Sequence, residues 1–171
     1  QGSAGRASCL PCLPGLFGNV SGLVECQACP SGKVSKDQNA SVCADCDPGE
    51  SSSATGSASC TACGAGQFSS ISGGDCEECA EGRYRVQAKD PTKNDPTKCT
   101  ACPKGYYQGS AGRASCLPCL PGTFSDTPGL ISCMACKTGQ FQSEVNATQC
   151  KDIKEGHISG PDRSSQIQIA L

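Results

Sequence analysis

The sequence predicts a small disulfide-rich repeat fold: an elongated rod of about nine 17-residue units with short β-hairpins and turns, little or no helix and no single core. Three observations carry this. CxxC pairs recur with thirteen residues between them, a period that a stapled repeat array requires. The 171 residues include 17 Cys, 21 Gly and 11 Pro but no Trp, three Tyr and four Phe, too little apolar bulk for one conventional core. Cross-links must therefore replace buried area. Glycine also returns at one fixed place in every unit.

The pairs are Cys9/Cys12, Cys26/Cys29, Cys43/Cys46, Cys60/Cys63, Cys76/Cys79, Cys99/Cys102, Cys116/Cys119 and Cys133/Cys136, with Cys150 as half of a ninth. One gap is short by a residue (63 to 76) and one is long by six (79 to 99). The chain divides into a partial repeat 1–12, then repeats 12–29, 29–46, 46–63, 63–79, 79–102 (with the insertion), 102–119, 119–136 and 136–153. A degenerate, cysteine-free repeat, 153–171, follows.

Counted from the second cysteine of a pair, the unit reads C-x-x-G-x-[FYVI]-x4-[GN]-x3-C-x-x-C with few exceptions. The third position is Gly15, Gly32, Gly49, Gly66, Gly82, Gly105, Gly122, Gly139 and Gly156. This constancy points to a backbone need, either positive φ in a tight turn or close approach of a neighbouring strand. The fifth position holds Phe17, Val34, Phe68, Tyr84, Tyr107, Phe124, Phe141 and Ile158, with Ser51 as its polar member, and is read as the apolar plug of each unit. The tenth is Gly or Asn in Gly22, Asn39, Gly56, Gly73, Gly112, Gly129 and Asn146, residues that tolerate the left-handed region. Two turns and a short hairpin per unit follow.

The stretches CPKGYYQGSAGRASCLPC (102–119) and CLPGTFSDTPGLISCMAC (119–136) resemble the ephrin-receptor-like cysteine-rich repeat, and more distantly the first half of a tumour necrosis factor receptor cysteine-rich module. The likeness spans the chain, weakening at both ends and in the 79–99 insertion. It implies this fold in receptors, matrix proteins and protist surface proteins alike.

Three pairing schemes fit the spacing: bridges within each CxxC, crossed bridges between successive pairs, or second cysteine to next first cysteine. The tail arbitrates. After Cys150, Ile153 stands where a second cysteine is due and Ile167 where the following first cysteine is due. Only the last scheme loses one whole bridge there and leaves Cys150 partnered by Cys136. It predicts Cys12–Cys26, Cys29–Cys43, Cys46–Cys60, Cys63–Cys76, Cys79–Cys99, Cys102–Cys116, Cys119–Cys133 and Cys136–Cys150, with an Ile153–Ile167 contact replacing a ninth. Cys9 is left over and is expected to bridge to a cysteine upstream of Gln1, because residues 1–15 repeat residues 108–122. Each bridge closes a loop of about fifteen residues, worth roughly 3 kcal/mol on the chain-entropy account. Neighbour-only contacts between units are expected.

The 107-residue offset continues beyond the identical block. GLVECQAC (22–29) matches GLISCMAC (129–136), and Asn39 falls on Asn146, so the short units form a larger duplicated unit. Three N-x-S/T sequons, at Asn19, Asn39 and Asn146, mark candidate N-glycosylation sites and, with the cysteines, an extracellular location.

The remaining residues offer little chemistry. A net charge of −2 without a basic stripe excludes nucleic acid as a partner, and no apolar span inserts in a membrane. CxxC also occurs in redox motifs and zinc ribbons, but one unbroken period with no histidine among the pairs favours structural bridges, so no metal, cofactor or catalytic residue is expected. His157 is read as inert, and the insertion, with DPTK at 90–93 and again at 95–98, as a surface loop. The expected function is a non-enzymatic secreted structural glycoprotein, a rod-like spacer or subunit of an extracellular filament, appendage or coat. Its partners are other protein chains, including copies of itself. The alternative is a cell-surface receptor ectodomain that binds a protein ligand.

Overall fold

The computed structural model describes residues 10–19, 25–87 and 95–169. Cys9 and the first DPTK copy lie outside them. Among the described residues there is no helix, and eighteen short strands form nine two-stranded sheets. The sheets pair β1 (Leu16–Phe17) with β2 (Gln27–Ala28), β3 (Lys33–Val34) with β4 (Ala44–Asp45), and β5 (Glu50–Ser51) with β6 (Thr61–Ala62). They continue with β7 (Gln67–Phe68) and β8 (Glu77–Glu78), β9 (Arg83–Tyr84) and β10 (Thr100–Ala101), and β11 (Tyr106–Tyr107) and β12 (Leu117–Pro118). The last three join β13 (Thr123–Phe124) to β14 (Met134–Ala135), β15 (Gln140–Phe141) to β16 (Lys151–Asp152), and β17 (His157–Ser159) to β18 (Gln166–Gln168).

The third-position glycine makes each hairpin possible. It has φ between about 74° and 91° in all nine units, and the fourth residue donates its N–H to the carbonyl of the first, as in Leu16 to Leu13 at 3.0 Å and Tyr106 to Pro103 at 3.1 Å. Such a turn needs positive φ at its third member, which a side chain resists. The same glycine's carbonyl accepts the N–H of the cysteine that ends the hairpin, Cys29 to Gly15 at 2.9 Å and Cys119 to Gly105 at 2.9 Å.

Sulfur supplies the interior. The bridges run Cys12–Cys26, Cys29–Cys43, Cys46–Cys60, Cys63–Cys76, Cys79–Cys99, Cys102–Cys116, Cys119–Cys133 and Cys136–Cys150. From Cys29 to Cys136, the second cysteine of every pair is at most 1% exposed. The fifth-position plug is a lesser contributor: Val34 is buried, the aromatics are half-buried and Ile158 is 53% exposed.

Two compact units result, Gln1–Glu77 with Lys89–Lys98, and Glu78–Ala88 with Cys99–Leu171. The described end of the insertion, residues 95–98, therefore belongs to the first unit. That end packs inward: Pro96 lies against Gly49, and its carbonyl accepts the Ser69 N–H at 3.4 Å. The surface-loop expectation fails for Pro96, because the insertion supplies a contact that other repeats take from their own second turn.

Candidate functional site

The repeated structural device of the described residues is the joint between hairpins. In the first compact unit, Gly32 donates to Ser52 O at 2.7 Å, Ser35 to Ser57 O at 3.3 Å, and Gly56 back to Cys29 O at 2.7 Å. In the second, Gly105 donates to Ser125 O at 2.9 Å, Gln108 to Leu130 O at 3.1 Å, and Gly129 to Cys102 O at 2.8 Å. Within each compact unit, third-, sixth- and tenth-position amides thus tie successive repeats together through the main chain.

The glycines also reach one repeat further. A Cβ on Gly15 would overlap the carbonyl of Gly56, one on Gly32 that of Gly73, one on Gly82 that of Gly129, and one on Gly105 that of Asn146. Each partner is the tenth position of the next repeat but one. The neighbour-only expectation is therefore corrected: within each compact unit the main chain winds so that alternate hairpins touch. Glycine is needed there both for positive φ and for its missing side chain.

Position six is the element that the sequence reading missed. Ser35, Ser52, Ser69, Arg85, Gln108, Ser125 and Gln142 are buried, from 0 to 5% exposed. Serine closes its own second turn by donating to the carbonyl two residues on, Ser35 to Asp37 at 3.2 Å and Ser125 to Thr127 at 3.1 Å. Glutamine spans the same turn from both sides: Gln142 donates to Gln149 O at 2.7 Å and accepts from Glu144 N at 2.9 Å. Gln108 does likewise with Ser115 and Ser110. A polar group with its bonds made costs little to bury, so composition alone does not reveal the site.

The degenerate repeat departs from expectation. In β17–β18 Ile158 faces Ile167 and Ser159 faces Gln166, whereas in β1–β2 Phe17 faces Gln27, the residue after Cys26. The turn is one residue shorter, so Gln166 takes the place of the first cysteine. Ile167 is 47% exposed and pairs with Ile158, which overturns its reading as the stand-in for a bridge to Ile153. Gln166 is half-buried, and its Oε1 accepts from Lys154 N at 3.2 Å.

The other singled-out residues stay apart. Asn19, Asn39 and Asn146 are exposed. His157 rests its Nδ1 3.1 Å from Glu155 O. Every described cysteine is engaged in a bridge between pairs, and no group of three or more His, Cys, Asp or Glu is placed to hold a metal ion among the described residues. Open grooves among the described residues include one of about 720 Å³ lined by Ser51, Ser52, Ser53, Ser57 and Thr61, and one of about 570 Å³ lined by Lys104, Phe124, Asp126 and Lys137. Hydrogen bonds from Thr97 lower the Asp95 carboxyl to about 2, and those from Ser164, backbone first, lower Asp162.

Repeating hairpins, a cysteine ladder and a glycine at every joint define a family. The family described as tyrosine-protein kinase ephrin type A/B receptor-like matches residues 1–46 and 91–132, just over half of the chain. The chain belongs to this family. Residues 108–132 of the second match are the counterpart, at the 107-residue offset, of residues 1–25 of the first. No curated protein matches the chain significantly. An ephrin-receptor-like chain with eight bridges is an extracellular type of disulfide-rich protein, since such bridges persist in oxidising compartments. No helix is long and apolar enough to cross a membrane among the described residues.

Proposed function

We propose that the chain is a non-enzymatic structural glycoprotein, a spacer or subunit of an extracellular filament or coat. One observation supports this reading above the rest: repeats are joined amide to carbonyl at glycines, so the joint is indifferent to the side chains that vary from repeat to repeat. A fold of this kind lengthens by duplication without redesign, and stiffness comes from bridges and main-chain bonds instead of a shared core. Its partners are other protein chains, among them copies of itself, and its surface carries N-linked glycans. Electron micrographs of the purified protein are expected to show thin rods; compact globules would overturn the proposal.

The family match favours a second reading, the ectodomain of a cell-surface receptor that binds a protein ligand. That reading requires a membrane span in the complete reading frame and saturable binding of a soluble ligand. Further structural repeats with no span would decide for the spacer.

A further inference from the structure

We infer that Asn39 and Asn146 carry N-linked glycans at equivalent points of the two compact units; this rests on the extracellular reading above. The tenth position of a repeat must adopt positive φ, and Gly56, Gly73, Gly112 and Gly129 do so without a side chain, at 69° to 80°. Asn39 and Asn146 hold the same conformation at 59° and 60°. Asparagine is the costlier way to satisfy that backbone, so its side chain needs a reason to be there.

The surroundings supply the reason. Both asparagines open a sequon, Asn39-Ala40-Ser41 and Asn146-Ala147-Thr148. In each the main chain is tied at two points: Asn39 N donates to Cys12 O and Ala40 O accepts from Gly18 N, both at 2.9 Å, while Asn146 N donates to Cys119 O at 2.9 Å and Ala147 O accepts from Ser125 N at 3.0 Å. The middle alanine turns inward, Ala147 to 8% exposure, whereas Asn39, Ser41, Asn146 and Thr148 face solvent. Neither carboxamide makes a hydrogen bond among the described residues. The fold holds the tripeptide backbone and leaves its acceptor and hydroxyl side chains outside, where a bulky glycan displaces nothing. Asn19 lacks this setting, standing at the seventh position of its repeat.

The test is to secrete the chain from a eukaryotic cell and compare intact mass before and after peptide-N-glycosidase, with peptide mapping of Asn-to-Asp conversion. Two glycans are expected, at Asn39 and Asn146. N39G and N146G should each lose one without loss of secretion, because glycine is the array's own solution at this position. S41A and T148A should lose the same glycans with the asparagines kept. Unmodified Asn39 and Asn146 in a chain whose eight bridges are closed, or modification at Asn19 alone, overturns the inference and leaves the extracellular reading standing. Unmodified sites together with free thiols overturn both.

Discussion

The guanidinium of Arg163 donates to the carbonyl of Cys136 at 2.7 Å, in the place that a main-chain amide fills at Cys12, Cys29, Cys46, Cys79, Cys102 and Cys119. Equivalent carbonyls, Cys102 and Cys119, accept from Gly129 N at 2.8 Å and Asn146 N at 2.9 Å. Arg163 is the tenth residue after Ile153 and shares their positive φ, at 58°. In the shortened last hairpin its side chain reaches back to satisfy the carbonyl.

Replacing Arg163 by Ala is therefore expected to loosen the last hairpin by roughly 1.5–3 kcal/mol, the range for hydrogen bonds from a charged donor. Arg163→Gly recovers the backbone part but not the bond and should fall between wild type and Ala. Hydrogen exchange at the Ile169 amide, which donates to Gly156 O at 2.8 Å, reads this opening locally. Unchanged protection in Arg163→Ala would refute the role.

Gly105 and Gly139 separate the two demands made of the third position. Their φ values are 83° and 84°, but a Cβ on Gly105 would strike the Asn146 carbonyl, whereas nothing lies within 4 Å of one on Gly139. Gly139→Ala should cost only the left-handed penalty, about 1–2 kcal/mol. Gly105→Ala should cost at least about 1 kcal/mol more, since backbone must shift or a joint hydrogen bond must break. Equal denaturation midpoints for the two variants would show that the close approach is dispensable.

Much of this was legible in the sequence for a physical reason. Turns and bridges are local, and a glycine or cysteine recurring at one offset reports its own constraint. The contact between alternate hairpins is not local, and nothing in the third position of Gly15 names Gly56 as its neighbour. Position six was hidden because Ser125 and Gln142 look like surface residues until their bonds inside the turn are seen. Ile167 was misread by counting a fixed interval through a turn that had lost a residue, although the Cys63–Cys76 repeat carries the same one-residue deletion.

Gln142 and the serines at the same position are two solutions to one problem. Gln142→Ser is expected to keep most of the stability, because a serine there can bond the Glu144 carbonyl as Ser125 bonds that of Thr127 at 3.1 Å. Gln142→Ala leaves the turn with no side-chain bond at all and should lose about 1–3 kcal/mol, the net worth of the two bonds that Gln142 makes. Chemical denaturation of the two variants under oxidising conditions distinguishes them, and the order Ala above Ser would contradict the assignment.

Acid should loosen the described end of the insertion only at the low-pH edge of the carboxylate range. The Asp95 carboxylate accepts from the Thr97 hydroxyl at 2.6 Å and the Thr97 amide at 2.9 Å, which with Lys98 at 3.0 Å lowers its pKa from 3.8 to about 2. Because the folded value lies below the unfolded one, these bonds stabilise the turn fully above pH 3.8 and are lost as pH falls from there through about 2. The Thr97 amide shift in an NMR titration is expected to stay flat from neutral pH and to move only in that window, and Asp95→Asn should abolish the step. A midpoint at the ordinary carboxylate value would show that the bonds do not form in solution.

The register of the last hairpin predicts where a ninth bridge can be built. Cys63 and Cys76 are 13 residues apart and join across a shortened turn. Ile153 and Gln166 have the same separation, and Gln166 faces Ser159 in the ladder, the place that a first cysteine occupies in the full-length repeats. Ile153→Cys with Gln166→Cys is therefore expected to oxidise spontaneously and to stabilise the chain by roughly 3 kcal/mol, the value for a loop of about fifteen residues. Ile153→Cys with Ile167→Cys should retain two titratable thiols, because successive strand residues point to opposite faces and Ile167 is committed to Ile158. Thiol counting and non-reducing peptide maps of the two double variants decide the matter. Closure of the 153–167 bridge in preference to 153–166 would restore the 14-residue spacing and refute the shortened register.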